Sequence, residues 1–334
     1  MALKRKYLPL TLFLLGALAL SLDTYGNRTK TQQQPALITL QSPAGVLDTP
    51  HPISSISTSE DGLTLYTEDG LTGEVNAYAS RPFGRLSHLG KALGTVRGPR
   101  GYSAGVIKGQ EVAVWDSAGR LAADFKTYPA DSLAFLSNGN LLAASPANGH
   151  LLHVYSPQGQ LLRSFGSFQT FDRDEGENQF LHRGQALVDA SDNTYFVYRY
   201  VPLIQKYAPD GTLLYEIKVT GAAIDIQQGV AKRFFNNRRT GGVAGVGGIH
   251  ILTAAALDRQ TGHLWVGMNG SSNTGVIYEY DERGEKLREY ALESEFSPGG
   301  RITSVSDLAL TDSGLHVLTP MHQVHSFSFQ SFTN

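Results

Sequence analysis

The feature that most constrains the fold is a short hairpin signature that recurs along the chain. It consists of an aromatic residue, a glycine four positions later and a leucine two beyond that. Tyr207, Gly211 and Leu213 carry it, as do Trp115, Gly119 and Leu121, and Tyr155, Gly159 and Leu161. Tyr280, Gly284 and Leu287 match with one extra residue, and Tyr78, Gly84 and Leu86 match if the turn is two residues longer. In such a hairpin the aromatic ends one strand, the glycine supplies the positive φ of the turn, and the leucine is expected to lead the next strand back into the core.

Successive glycines of the signature lie 35, 40, 52 and 73 residues apart. A period near 40 with two insertions is that of four-stranded blades stacked around a central channel. One stretch, 184–219, spells out a whole blade. Its apolar runs at 186–188, 195–198, 203–207 and 213–217 are separated by Ser191-Asp192-Asn193 and Pro209-Asp210-Gly211, residues that favour turns. Asn138-Gly139 marks another two-residue hairpin between apolar runs.

The second strands follow a further pattern, Asp61-Gly62-Leu63-Thr64-Leu65-Tyr66 and Thr261-Gly262-His263-Leu264-Trp265-Val266. With the aromatic hairpin, it resembles the NHL-repeat and TolB-like six-bladed β-propellers from about residue 36 onward. The resemblance implies an all-β fold, a six-bladed β-propeller of four-stranded antiparallel blades. Blades are expected near 51–90, 91–127 and 128–168, with insertions at 169–180 and 220–248. The last repeat, 301–329, has room for three strands, so the lone strand 36–41 is expected to close the ring there.

Six blades of about 45 residues use up the 334-residue chain. Net charge is −2, from 28 Lys and Arg against 30 Asp and Glu, so nucleic acid is not an expected partner. Cysteine is absent, which excludes disulfides, thiolate metal sites and cysteine nucleophiles. Lys4-Arg5-Lys6 followed by the apolar run to Leu22 has the form of a secretory signal or N-terminal anchor, and 23–35 that of a flexible linker. The expectation is an exported chain, periplasmic or secreted, monomeric, touching a membrane only through an uncleaved anchor.

Counting ten residues back from Asp61, Asp192 and Gln260 lands on His51, His182 and His250. A residue just before an innermost strand sits at the channel mouth. Three imidazoles there would suit zinc or another divalent metal, whose bound water is a nucleophile near neutral pH. Arg100, Tyr128 and Arg301 fall at corresponding places and are candidates for holding an anion. In the long insertion, Lys232-Arg233-Phe234-Phe235-Asn236-Asn237-Arg238-Arg239 offers Arg233 and Arg238 as a further clamp, since guanidinium forks onto carboxylate and stacks on rings. The blander expectation is a loop whose phenylalanines pack on the ring. Asp172 to Asn178 places oxygen ligands at alternate positions, as a calcium loop does, without its terminal carboxylate; an acidic solvated loop is expected.

No phosphate loop, nucleophile elbow or His-Glu-x-x-His pair is present. Some propellers of the resembled type are metal-dependent lactonases or lyases, yet none of their motifs matches this sequence position by position. The leading expectation is a propeller that binds a small molecule or protein at the channel mouth and insertion-bearing face. The alternative is a metal-dependent lyase or lactonase using the three histidines.

Overall fold

The computed structural model describes residues 37–329 except for 41–44, 48–51, 60, 73, 81–82, 92–95, 109, 240–247, 270–273 and 294–301. Six antiparallel sheets account for nearly all of it: blade one (53–91), two (96–126), three (132–167), four (184–218), five (254–292) and six (307–328). The first strand of each blade touches the first strand of the blades on either side, in an unbroken cycle. Six strand edges therefore face one axis, and the chain is a six-bladed β-propeller.

Apolar side chains from facing sheets fill the gaps between blades. Leu142, Leu152 and Phe165 of blade three pack with Phe196, Tyr198 and Leu203 of blade four, and Tyr195, Val197 and Ile204 pack with Val266, Tyr278 and Tyr280 of blade five. Phe196 is fully buried, worth about 2–3 kcal/mol in removed apolar surface.

The repeated glycines do two jobs. Gly159 and Gly211 have φ of 84° and 92°, the left-handed region that other residues avoid. A Cβ on Gly159 would also lie 2.3 Å from Phe125, and one on Gly211 2.9 Å from Phe165, each an aromatic on the outermost strand of the preceding blade. Gly159 and Gly211 are thus slots into which the neighbouring blade fits. The aromatics Tyr155, Tyr207 and Tyr280 are buried as expected.

The leucines are not. Leu121, Leu161, Leu213 and Leu287 are 59, 42, 46 and 37 % exposed. A register shift follows directly after Leu121, Leu161 and Leu213 and falls on Leu287, so the outermost strand begins with a bulge and these leucines lie on its solvent side rather than re-entering the core. Gly84 also departs from the pattern, for it lies inside a strand opposite Ala79.

The ring is closed by an N-terminal strand, though not by the one nearest residue 36. Leu37–Leu40 runs parallel to the outermost strand of blade five as a fifth strand, and Gly45–Leu47 pairs with Val324–Ser328 as the fourth strand of blade six. The two insertions are helical where loops were expected. Helix α1 (Glu175–Leu181) is capped by Asp174, whose carboxylate accepts the Glu177 N–H at 2.8 Å. Helix α2 (Ala222–Arg239) buries Ala223, Ile224, Gln227 and Ala231, and Phe235 packs beside them, at the spacing of one helix face. Among the described residues no helix is long and apolar enough to cross a membrane.

Candidate functional site: the channel mouth

A cavity of about 510 Å³ runs between the six innermost strands. Its wall is made of strand edges, whose backbone groups lack a ladder partner on the axial side. Side chains of one rung reach across the blade gaps to satisfy some of them. Ser132 Oγ accepts the Ala186 N–H at 2.8 Å, from blade three to four. Gln185 exchanges two bonds of 3.1 Å with Ala255, from blade four to five. Asp307 Oδ2 accepts the Ile56 N–H at 3.0 Å, from blade six to one. Blade five has Ala254 at this position and nothing to offer Leu308. The Leu308 N–H bonds instead to Asp307 Oδ1 at 2.9 Å. Enclosure by protein raises the Asp307 pKa to about 6, against the pull of those two N–H groups and of the Arg199 charge.

The end of the channel from which the innermost strands begin carries the insertions. Arg183 precedes the first strand of blade four and directs its Nε and Nη2 to Asp131 Oδ1, the former at 2.8 Å. The loop joining the second and third strands of that blade supplies Arg199 and Tyr200. The Tyr200 hydroxyl and His250 Nε2 share a hydrogen bond of 3.2 Å, and Phe180 of α1 lies 4.3 Å from the Tyr200 ring, centroid to centroid. Phe235 of α2 meets Phe180 edge-on at 6.3 Å, so both helices bear on the mouth through one aromatic cluster.

Arg199 lines the cavity, half-buried, and its guanidinium makes no hydrogen bond or ion pair with any described residue. Burial first, then the charges of Arg199 and Arg183, hold the His250 pKa below the usual imidazole range. A neutral imidazole, a phenol and a guanidinium with open donors therefore share the mouth, and Ser306 and Thr253 add hydroxyls to the same wall. A guanidinium whose donors find no acceptor among the described residues is of the kind that forks onto an anion.

Sequence alignment on the first turn places the candidate residues unevenly. His250 lines the channel. His182 does not: it is fully buried and stacked on Phe168 at 4.3 Å, with Nδ1 donating to the Asn178 carbonyl at 2.7 Å and Nε2 accepting the Gln169 N–H at 2.9 Å. Burial keeps it neutral, and both ring nitrogens are spent. The first turn explains the slip. It opens at Ser59, Asp189 and Asp258, so Asp61 and Gln260 lie two residues into it but Asp192 three, and the count back from Asp192 is one residue off. His51 and Arg301 lie outside the described residues, and Arg238 belongs to α2 with its side chain outside them. Among the described residues no three His, Asp or Glu side chains are grouped to hold a metal ion.

Arg100 sits in the turn after the first strand of blade two, at the far end of the channel, exposed and with φ 59°. Tyr128 is at the mouth end but on the flank of blade three, 4.7 Å from the His153 ring, its hydroxyl accepting from Asn148 at 2.6 Å. Arg233 is exposed on α2. The calcium-like segment is the capped start of α1: Asp172 Oδ1 accepts the Asp174 N–H, and Asn178 Oδ1 those of Phe171 and Asp172. Arg199 and Tyr200, which the sequence reading passed over, follow the clearest strand in the chain, and the loop between second and third strands opens on the same end as the residues preceding the first.

No protein-family model matches the chain, and no curated protein does either. Solved structures similar to it include the Swd1 β-propeller domain of Myceliophteria thermophila, 10% identical over 86% of this chain and 99% of that one, with a TM-score of 0.51. A chain of the mitotic checkpoint complex is 10% identical over 91% and 97%, also with a TM-score of 0.51. Virginiamycin B lyase from Staphylococcus aureus is 10% identical over 86% and 88%, with a TM-score of 0.48. At such identities the likeness is one of fold, and function rests on the site.

Proposed function

We propose that this chain is an exported binding propeller that takes a small anionic ligand at its channel mouth, on the face bearing α1 and α2. The observation that carries the reading is the Arg199 guanidinium in the cavity wall, without a hydrogen-bond or ion-pair partner among the described residues, beside the Tyr200–His250 pair. A half-buried cation without a partner costs desolvation free energy, and a bound carboxylate offsets it with charge-assisted bonds. Export is supported by the basic start and apolar run of residues 1–22, and N-terminal sequencing of the protein recovered outside the cytoplasm tests it.

The anion reading is tested by thermal shift of the purified protein with acetate, benzoate and phosphate, with choline as a cationic control. Stabilisation by the carboxylates, absent with choline and lost in Arg199→Ala, is the expected result. No shift with any anion, or an equal shift in Arg199→Ala, contradicts it.

A further inference from the structure

We infer that the ligand is a polyhydroxylated carboxylate, a sugar acid of the uronate kind. The inference rests on the anion reading of the mouth and adds the chemistry of the ligand's body. Below Arg199 the lining alternates apolar strand residues such as Leu133, Leu187 and Leu308 with polar ones, and carries charge at Arg97, Arg259, Asp131 and Asp307. Around the rung where the clasps lie, the cavity is lined by Ser55, Ser132, Gln185, Thr253 and Ser306, with Asp307 as an acceptor. Between them run six strand edges, each offering N–H and C=O groups in alternation. Thr253 Oγ1 donates to the Gly267 carbonyl and Ser132 Oγ accepts from Ala186, which leaves lone pairs or a proton on each hydroxyl for a ligand. Ser306 Oγ has no partner among the described residues.

A wall that mixes donors and acceptors at this density penalises an alkyl chain, which would strip water from backbone groups and replace none of the bonds. Hydroxyls on successive carbons are both donor and acceptor, and they can replace that water bond for bond. The cavity of about 510 Å³ is ample for one or two sugar rings. A carboxylate on such a ring would meet Arg199, and the ring itself would hang along the serine-lined wall.

The test is calorimetric titration of glucuronate, hexanoate and glucose into the wild-type protein, Arg199→Ala and Ser306→Ala. Glucuronate is expected to bind at least tenfold more tightly than hexanoate or glucose, to weaken about fivefold in Ser306→Ala, and to be lost in Arg199→Ala. Hexanoate binding as tightly as glucuronate overturns this inference and leaves the anion site standing. Glucose equal to glucuronate in wild type and Arg199→Ala alike overturns both. Binding of neither acid overturns the anion reading itself. Circular dichroism of each variant separates a lost contact from a lost fold.

Discussion

The Asp307 carboxylate accepts the backbone N–H of Ile56 at 3.0 Å, and by that bond the sixth blade grips the first across the seam of the ring. The same carboxylate serves its own neighbour Leu308, because the Ala254 methyl of blade five cannot accept a hydrogen bond. One acid thus makes good a gap in a ring of side-chain clasps, and it does so from inside the channel.

This placement sets a pH dependence. The folded-state pKa of about 6 stands above the ordinary 3.8, so the folded protein holds the Asp307 proton more tightly than the unfolded chain does. The associated stabilisation is full below pH 3.8 and is lost as pH rises through 6. Asp307→Asn keeps one acceptor and cannot titrate. Denaturant midpoints measured at pH 4 and pH 7 should show the variant weaker by about 1–2 kcal/mol at the lower pH and the gap closing at the higher. A gap that stays constant or widens would count against this account.

His316 works in the opposite sense. Buried in blade six between Thr311 Oγ1 at 2.9 Å and Ser326 Oγ at 2.8 Å, its pKa is lowered to about 4 by desolvation. Its contribution is present above pH 6.5 and disappears as pH falls through 4, because the unfolded chain takes up the proton first. His316→Gln should be less stable than wild type in neutral buffer, yet lose less stability between pH 6.5 and 4 than wild type does. Parallel curves for the two proteins would contradict the assignment.

The slot role of the hairpin glycine separates two otherwise similar substitutions. Gly119 and Gly211 both have positive φ, but a Cβ on Gly119 meets no described residue within 4 Å whereas one on Gly211 meets Phe165 at 2.9 Å. Gly119→Ala should cost about 1 kcal/mol from backbone strain alone, and Gly211→Ala roughly 2–4 kcal/mol because Phe165 must also move. Equal urea midpoints for the two variants would refute the inter-blade slot.

Much of the fold could be read from residues with a local reason for their identity. Tyr155 with Gly159, and Tyr207 with Gly211, are tied to a turn conformation, so their repetition announced the blades. Leu161 and Leu213 face solvent, not the core, each next to a bulge at the start of the outermost strand that the spacing does not reveal. The face Ile224, Gln227, Ala231 and Phe235 of α2 was legible as a 3.6-residue period, but the glycines that follow drew the stretch toward a loop. At the site, the count back from the turn reached the channel wall at His250 and missed it at His182, since Asp192 lies one residue further into its turn than Asp61 and Gln260 do. Arg199 left no local mark, for its meaning comes only from the ring closing around it.

The central claim is that Arg199 is the anion-binding group of the mouth, and calorimetric titration of benzoate into wild type, Arg199→Ala and Arg120→Ala tests it most directly. Arg120 lies in the outer hairpin of blade two, paired with Asp116 and far from the channel in the fold. The account predicts measurable binding to wild type and Arg120→Ala with the same affinity, and at least a tenfold loss in Arg199→Ala. Equal binding by all three proteins, or a loss in Arg120→Ala matching that in Arg199→Ala, would contradict it.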